Sequence, residues 1–266
     1  MLIRFHFERV FGDAVGRTPM DYLRLRRLQR AALRVRYEAR TSLLQLAQEC
    51  GFASNASFSR SFRQYFGFSP SDWRHGAWHD YMQDNQKHID ARLASQQSPD
   101  ALAFYDFWRD VMARRSFVGD RITLRRMPAA HMWFVRQFGL WGFDSYASSV
   151  RLAESYQRAG LIGENPTWCS LWPEDNGITR PDDLIGDIGL LADGPPPQGL
   201  LARSIPGGLY AVLETVNEPF LTQWLHEDWL DRQTTWTADM TRPYVYHWRD
   251  TPHGEWLRAM LPVRPA

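Results

Sequence analysis

Asn55, Ser57, Ser59, Arg60, Arg63 and Gln64 are polar side chains interleaved with Phe58, Phe62, Tyr65 and Phe66, so that a helix here buries its rings and offers the rest to solvent. Their chemistry is hydrogen bonding to nucleic acid. Arg forks onto guanine, Asn and Gln pair with adenine, and further Arg neutralises phosphate. Arg60, Asn55 and Ser59 are assigned to base reading, and Arg63 and Gln64 to the backbone. A second set, Glu214, Tyr210, Tyr246 and His247, supplies the acids and bases that hydrolysis would use, but no GxSxG nucleophile turn accompanies them. No catalytic residue is therefore assigned. His75 and His79 share a helical face without a nearby third ligand, so neither a metal nor another cofactor is expected.

The elements that must position the first set are legible around it. Leu43, Leu46, Ala47 and Cys50 recur at helical spacing, Gly51 supplies a tight reversal, Phe52 anchors the turn and Ser54 caps the next helix. Ser69-Pro70-Ser71-Asp72 reads as a cap, a first-turn proline and an acidic capping-box partner that start a third helix. Upstream, Thr18-Pro19-Met20-Asp21 caps a long helix in which Tyr22, Leu25, Leu28, Ala32 and Val35 recur.

The run LAQECGFASNASFSRSFRQYFGFSPSDWR closely resembles the second helix-turn-helix of the AraC/XylS family of bacterial transcription regulators. Phe5 to Phe11, followed by Gly16, Thr18 and Pro19, resembles the recognition helix of that family's first helix-turn-helix, and this brings Glu8 and Arg9 into the expected DNA-binding set. The helices that would precede it in the family are not in the sequence, so Phe5, Phe7 and Phe11 are expected to lack part of their cover. The resemblance implies double-stranded DNA as a partner, two adjacent major-groove segments read by one chain, and contact with RNA polymerase.

Charge divides the chain in the same place. Residues 1–78 hold 13 Arg, no Lys and 6 acids, or +7; the remainder holds 18 bases and 24 acids, or −6. The basic part suits a phosphate backbone. At 266 residues and 44% hydrophobic content there is chain enough for two cores. No apolar run approaches the ~18 residues of a membrane span, and two cysteines, Cys50 and Cys169, are not expected to pair; a cytoplasmic protein without membrane contact is expected. The expected organisation is a helix-turn-helix domain over 1–78, a linker with a short helix over 79–119, and an α+β domain over 120–266.

In that last part, Leu124 to Arg136 is echoed by Ala202 to Glu214, each copy giving a strand, a Pro-Ala or Pro-Gly bend, a second strand and then a helix, over 144–159 and 220–232. Such a duplication predicts a pseudo-twofold domain with a pocket at its seam. Met127-Pro128-Ala129, Gly139-Leu140-Trp141, Ile205-Pro206-Gly207-Gly208-Leu209-Tyr210-Ala211-Val212 and Pro262-Val263 resemble the landmarks of the gyrase-inhibitor-like (GyrI-like) effector-binding domain. The resemblance implies a small-molecule effector, aromatic or cationic, held by Trp133, Trp141, Tyr146, Trp172, Tyr210, Glu214, Trp224, Tyr244 and Tyr246. A competing expectation is a GyrI-like binding or hydrolase protein with vestigial DNA binding.

Overall fold

Local chemistry starts most of the N-terminal helices. The computed structural model describes residues 2–95, 98–139, 143–158, 160, 165–172, 177–220 and 222–266, and all that follows refers to those. They divide into one unit of 1–86 with 177–179 and a second of 87–176 with 180–266, so the division falls within a helix rather than in an extended tether.

In the first unit, α1 (Leu2–Val15) packs Phe11 against Tyr22 at 5.5 Å, while Phe5, Phe7 and Val10 stay exposed. The Thr18 hydroxyl accepts from the Asp21 amide and starts α2 (Pro19–Tyr37). Helix α3 (Leu43–Glu49), capped by Ser42, ends at Gly51, whose φ of +83° is the left-handed conformation that glycine adopts cheaply. A Cβ there would also lie 2.9 Å from Nε of Arg27, whose guanidinium donates to the Gly51 carbonyl at 3.0 Å. Helix α4 (Asn55–Phe66) opens on a reciprocal Ser54–Ser57 capping box and closes at Gly67, φ +81°. The Ser69–Asp72 box starts α5 (Pro70–Asp72), which continues through a π-helical turn at 73–77 into α6 (Trp78–Ala94).

Rings hold these helices together. Phe58, Phe62, Phe66 and Trp73 are almost wholly buried, in successive contacts of 4.6–5.4 Å, and Trp73 Nε1 donates to the Ala32 carbonyl. Beneath them Arg34 forks onto Glu38 at 2.8 Å and reaches Glu49 at 2.5 Å, tying α2 to α3. The stretch read as a linker is mostly helical: α6 is followed by α7 (Pro99–Ala113), capped by Ser98, which packs in the second unit through Val111 and Trp108.

The second unit is built on β1 (Thr123–Met127), β2 (Ala130–Phe138), α8 (Phe143–Arg158), β3 (Trp168–Trp172) and β4 (Ile185–Leu191), then β5 (Leu201–Ile205), β6 (Gly208–Val216), α9 (Trp224–Asp228), β7 (Trp236–Ala238), β8 (Tyr244–Thr251) and β9 (Gly254–Pro265). Strand order is β1-β6-β9-β8-β3-β4-β2-β5, all antiparallel, with β7 beside β9. Exchanging the two repeats leaves that order unchanged, so a pseudo-twofold axis passes between β3 and β8. The first strand of each repeat is traded: β1 pairs with β6 and β5 with β2.

The duplication extends to charge. Arg136 and Arg203 both pair with Asp187, while Arg125 and Arg258 both pair with Glu214, and the register makes Arg125 and Arg203, Arg136 and Glu214, and Asp187 and Arg258 equivalent. The two bends at Pro128-Ala129 and Pro206-Gly207 meet so closely that a Cβ on Gly207 would be 2.6 Å from the Ala129 nitrogen. The sheet therefore curls on itself. Its inner face forms a core of strand residues alone, including Met132, Phe134, Leu171, Tyr210 and Met260; its outer face packs Ala211, Leu213 and Leu261 against Trp224, Leu225 and Val111.

Candidate nucleic-acid interface and ligand cavity

In α4 the buried Phe58, Phe62 and Phe66 leave Asn55, Arg60, Arg63 and Gln64 exposed and Ser59 half-buried. The Ser57 hydroxyl accepts from the Ser54 amide and donates to the Ser54 carbonyl, completing the α4 cap. Arg63 lies 3.8 Å from Asp72, a loose pair between exposed groups. Asp72 is held below the usual carboxylate range chiefly by its Ser69 hydrogen bonds. On α1, Arg9 is exposed and Glu8 half-buried. Helix α2, 19 residues long, spans about 28 Å between the two candidate reading helices, comparable with the ~34 Å turn of a duplex.

The expected ligand residues do not form one cluster. Trp141 lies outside the described residues. Trp172, Tyr244 and Tyr246 share the outer face with Trp168 and Trp248: the register sets Ser170 opposite Tyr246, with Trp168 opposite Trp248 and Trp172 opposite Tyr244 on either side of the pseudo-twofold. Rings continue outward through Tyr156 against Trp168 at 6.5 Å and Phe220 against Tyr246 at 5.8 Å. Trp224 packs in the same outer-face core as Tyr244 and Tyr246, and the register puts Trp133 on that face two strands from Trp168; Tyr146 lies apart, on α8. Trp133 donates to the Gly194 carbonyl, Tyr146 is exposed and packs on Phe104, and Trp224 is buried in the outer-face core.

Tyr210 and Glu214 point the other way, on the inner face. Glu214 is not a spare acid for a cation. Burial opposes its ionisation, but hydrogen bonds from Arg258 at 2.5 Å and Arg125 at 3.0 Å outweigh that and lower its pKa. The Tyr210 hydroxyl donates to the Pro206 carbonyl at 2.6 Å, and burial raises its pKa. Burial likewise raises Tyr246 and, with the positive charge of Arg258 adding, pushes His247 down to about 4. Both tyrosines are thus neutral at pH 7, the His is neutral and the acid is ionised and twice paired. No member of the four is arranged as an activated nucleophile.

The inner face holds a cavity of about 240 Å³, with walls from Met127, Pro128, Ala130, Leu191, Ile205 and Met260 and polar lining from Tyr210, His247, Arg249 and Arg258 beside Trp256. Of the residues expected to hold an effector, Tyr210 alone among those described lines it. The others were findable in the two-residue alternation of the β8–β9 hairpin. His247 and Arg249 alternate with Tyr246 and Trp248, as Trp256 and Arg258 do with Leu257, so they occupy the opposite face from the conspicuous aromatics.

Residues 2–76 match the family described as a helix-turn-helix domain. YkgA of Escherichia coli (strain K12) is 28% identical over 181 residues, covering 62% of this chain and 72% of that protein. Regulatory protein SoxS of the same strain is 38% identical over 72 residues, covering 27% of this chain and 66% of SoxS, a little under two thirds. Among solved structures, the cryo-EM EcmrR–DNA complex is 13% identical, covering 80% of this chain and 83% of that one at a TM-score of 0.40. At that score the fold of the second unit rests on its own strand order and register.

Proposed function

We propose that the chain, an AraC-type helix-turn-helix protein through residues 2–76, is a DNA-binding transcription regulator whose second unit, GyrI-like in its duplicated strand order, takes a small-molecule effector. One observation carries the reading: the exposed side of α4 presents Asn55, Arg60, Arg63 and Gln64 while its other side is sealed by Phe58, Phe62 and Phe66. A helix so anchored can enter a major groove without rearranging its core. Helix α1, with Arg9 exposed, is the second reader. The outer-face rings around Trp168, Tyr246 and Trp248 supply flat surfaces for the effector, and a change of promoter or polymerase contact follows its binding. The hydrolase alternative has less support, because the candidate acids and bases are neutral or paired.

Selection of a preferred duplex followed by titration at two salt concentrations tests the DNA reading. Arg60→Ala is expected to cost about 1–3 kcal/mol on the preferred site and to relax the preference at one base position. Arg63→Ala should weaken all duplexes alike and lower the salt slope by about one. Uniform loss from both variants would remove the division between readers and backbone contacts, and no binding to any duplex would remove the function itself.

A further inference from the structure

The inner-face cavity breaks the symmetry of the duplication, and it does so with polar groups. Register makes His247 the counterpart of Leu171, because Leu171 pairs with Asp187 as His247 pairs with Arg258; the same relation puts Trp256 where the first repeat has Ile185. Leu171 is a fully buried apolar side chain in the inner core. His247 is 5% exposed, and its Nε2 has no hydrogen-bond partner among the described residues. An orphaned imidazole nitrogen in a core is costly unless something else satisfies it. Two guanidinium groups border the same hollow. Arg258 lies over the Trp256 ring at 4.6 Å and is neutralised by Glu214, whereas Arg249 lies over that ring at 4.8 Å and has no acidic partner among the described residues. Among the described residues, neither Asp nor Glu lines the cavity.

We propose that this cavity is a second ligand site, on the face opposite the aromatic seam, and that it takes a small carboxylate with a short apolar body. The carboxylate accepts from the spare guanidinium of Arg249 and from the Nε2–H tautomer of His247, and the body lies against Met127, Ile205, Met260 and the Trp256 ring. Charge decides the class, since a cation would meet the guanidinium groups of Arg249 and Arg258 and an imidazole, and the nearest acid, Glu214, is already engaged by Arg258 and Arg125. Size limits it too, because 240 Å³ is below the ~300 Å³ at which sites for drug-sized ligands begin. The assignment does not depend on DNA binding.

Calorimetric titration of the full chain with benzoate, benzamide and benzylamine tests it. Benzoate is expected to bind one to one, benzamide about tenfold more weakly or worse, and benzylamine not detectably. Arg249 is exposed, so Arg249→Gln should fold normally and weaken benzoate at least about tenfold, the loss of one charge-assisted hydrogen bond. A protein NMR titration should move the His247 imidazole signals with benzoate and not with benzylamine. Arg109→Gln, which removes an exposed charge on α7 away from the cavity, should leave benzoate affinity unchanged. Equal binding of benzoate and benzylamine, unaltered benzoate affinity in Arg249→Gln, or no binding of benzoate at millimolar concentration overturns the assignment.

Discussion

His247 shows how much one side chain can depend on the sheet around it. Its imidazole titrates near 6.5 in an unfolded chain and at about 4 when folded, because burial and the Arg258 charge oppose protonation. The unfolded state therefore binds the proton first as pH falls. The stability that a neutral His247 contributes is present above pH 6.5 and is lost progressively down to about pH 4, by roughly 3 kcal/mol in all. Glu214 and Asp239, whose folded pKa values are lowered, also lose stability on acidification, so the His term is read as a difference between proteins. His247→Leu, which restores the residue type of the first repeat, should show a shallower fall in urea-derived stability between pH 6.5 and 4.5. Parallel curves for the two proteins would exclude the buried imidazole as the source.

Helices α2 to α5 of the first unit are started by capping groups within a few residues, and the reading helix is the clearest case. Gly51 holds a left-handed conformation with Arg27 against it, so Gly51→Ala should destabilise by about 1–2 kcal/mol, before any cost of moving the guanidinium. Ser54→Ala should cost about 1 kcal/mol through the lost α4 cap. Chemical denaturation measures both, and changes under about half these values would mean that the turn is held by the ring stack instead. Legibility followed from this locality. Ser54, Ser69, Thr18, Gly51 and the helical recurrence of phenylalanine act over three or four residues, and they were readable one segment at a time. The second half of the α4 cap is less legible: the Ser57 hydroxyl is within reach of both solvent and the cap, and in the fold it accepts from the Ser54 amide.

Across the whole molecule, charge and strand exchange are the organising features. With +7 on residues 1–78 and −6 on the rest, DNA affinity should fall by about a hundredfold between 50 and 200 mM salt if four phosphates are contacted, while benzoate binding changes little. Comparable salt dependence of the two would argue against a basic module acting alone. In the second unit, the traded strands β1 and β5 make each half of the sheet from both repeats, and the paired ion triads lie on those trades. Asp187 is 1% exposed and balances both Arg136 and Arg203, so Asp187→Asn should cost about 2–4 kcal/mol in thermal or urea unfolding. Glu214→Gln, at a more exposed carboxylate, should cost less. The opposite ranking would show that burial of the shared acid does not set the cost.

The helix-turn-helix, the division of charge and the duplication were all present in the order of residues, because caps, turns and amphipathic periods are short-range effects that any single segment expresses. The positions of the aromatic and charged side chains about the sheet were not. Tyr244, Tyr246 and Trp172 look like companions of Tyr210 and Glu214 when read along the chain, yet the pleat sends the two sets to opposite faces. The pairing of β1 with β6 and of β5 with β2 joins segments far apart along the chain, where packing of the whole curled sheet outweighs any local preference. That closure also brings His247, Arg249, Trp256 and Arg258 around one hollow, so the cavity exists only once every strand is in register.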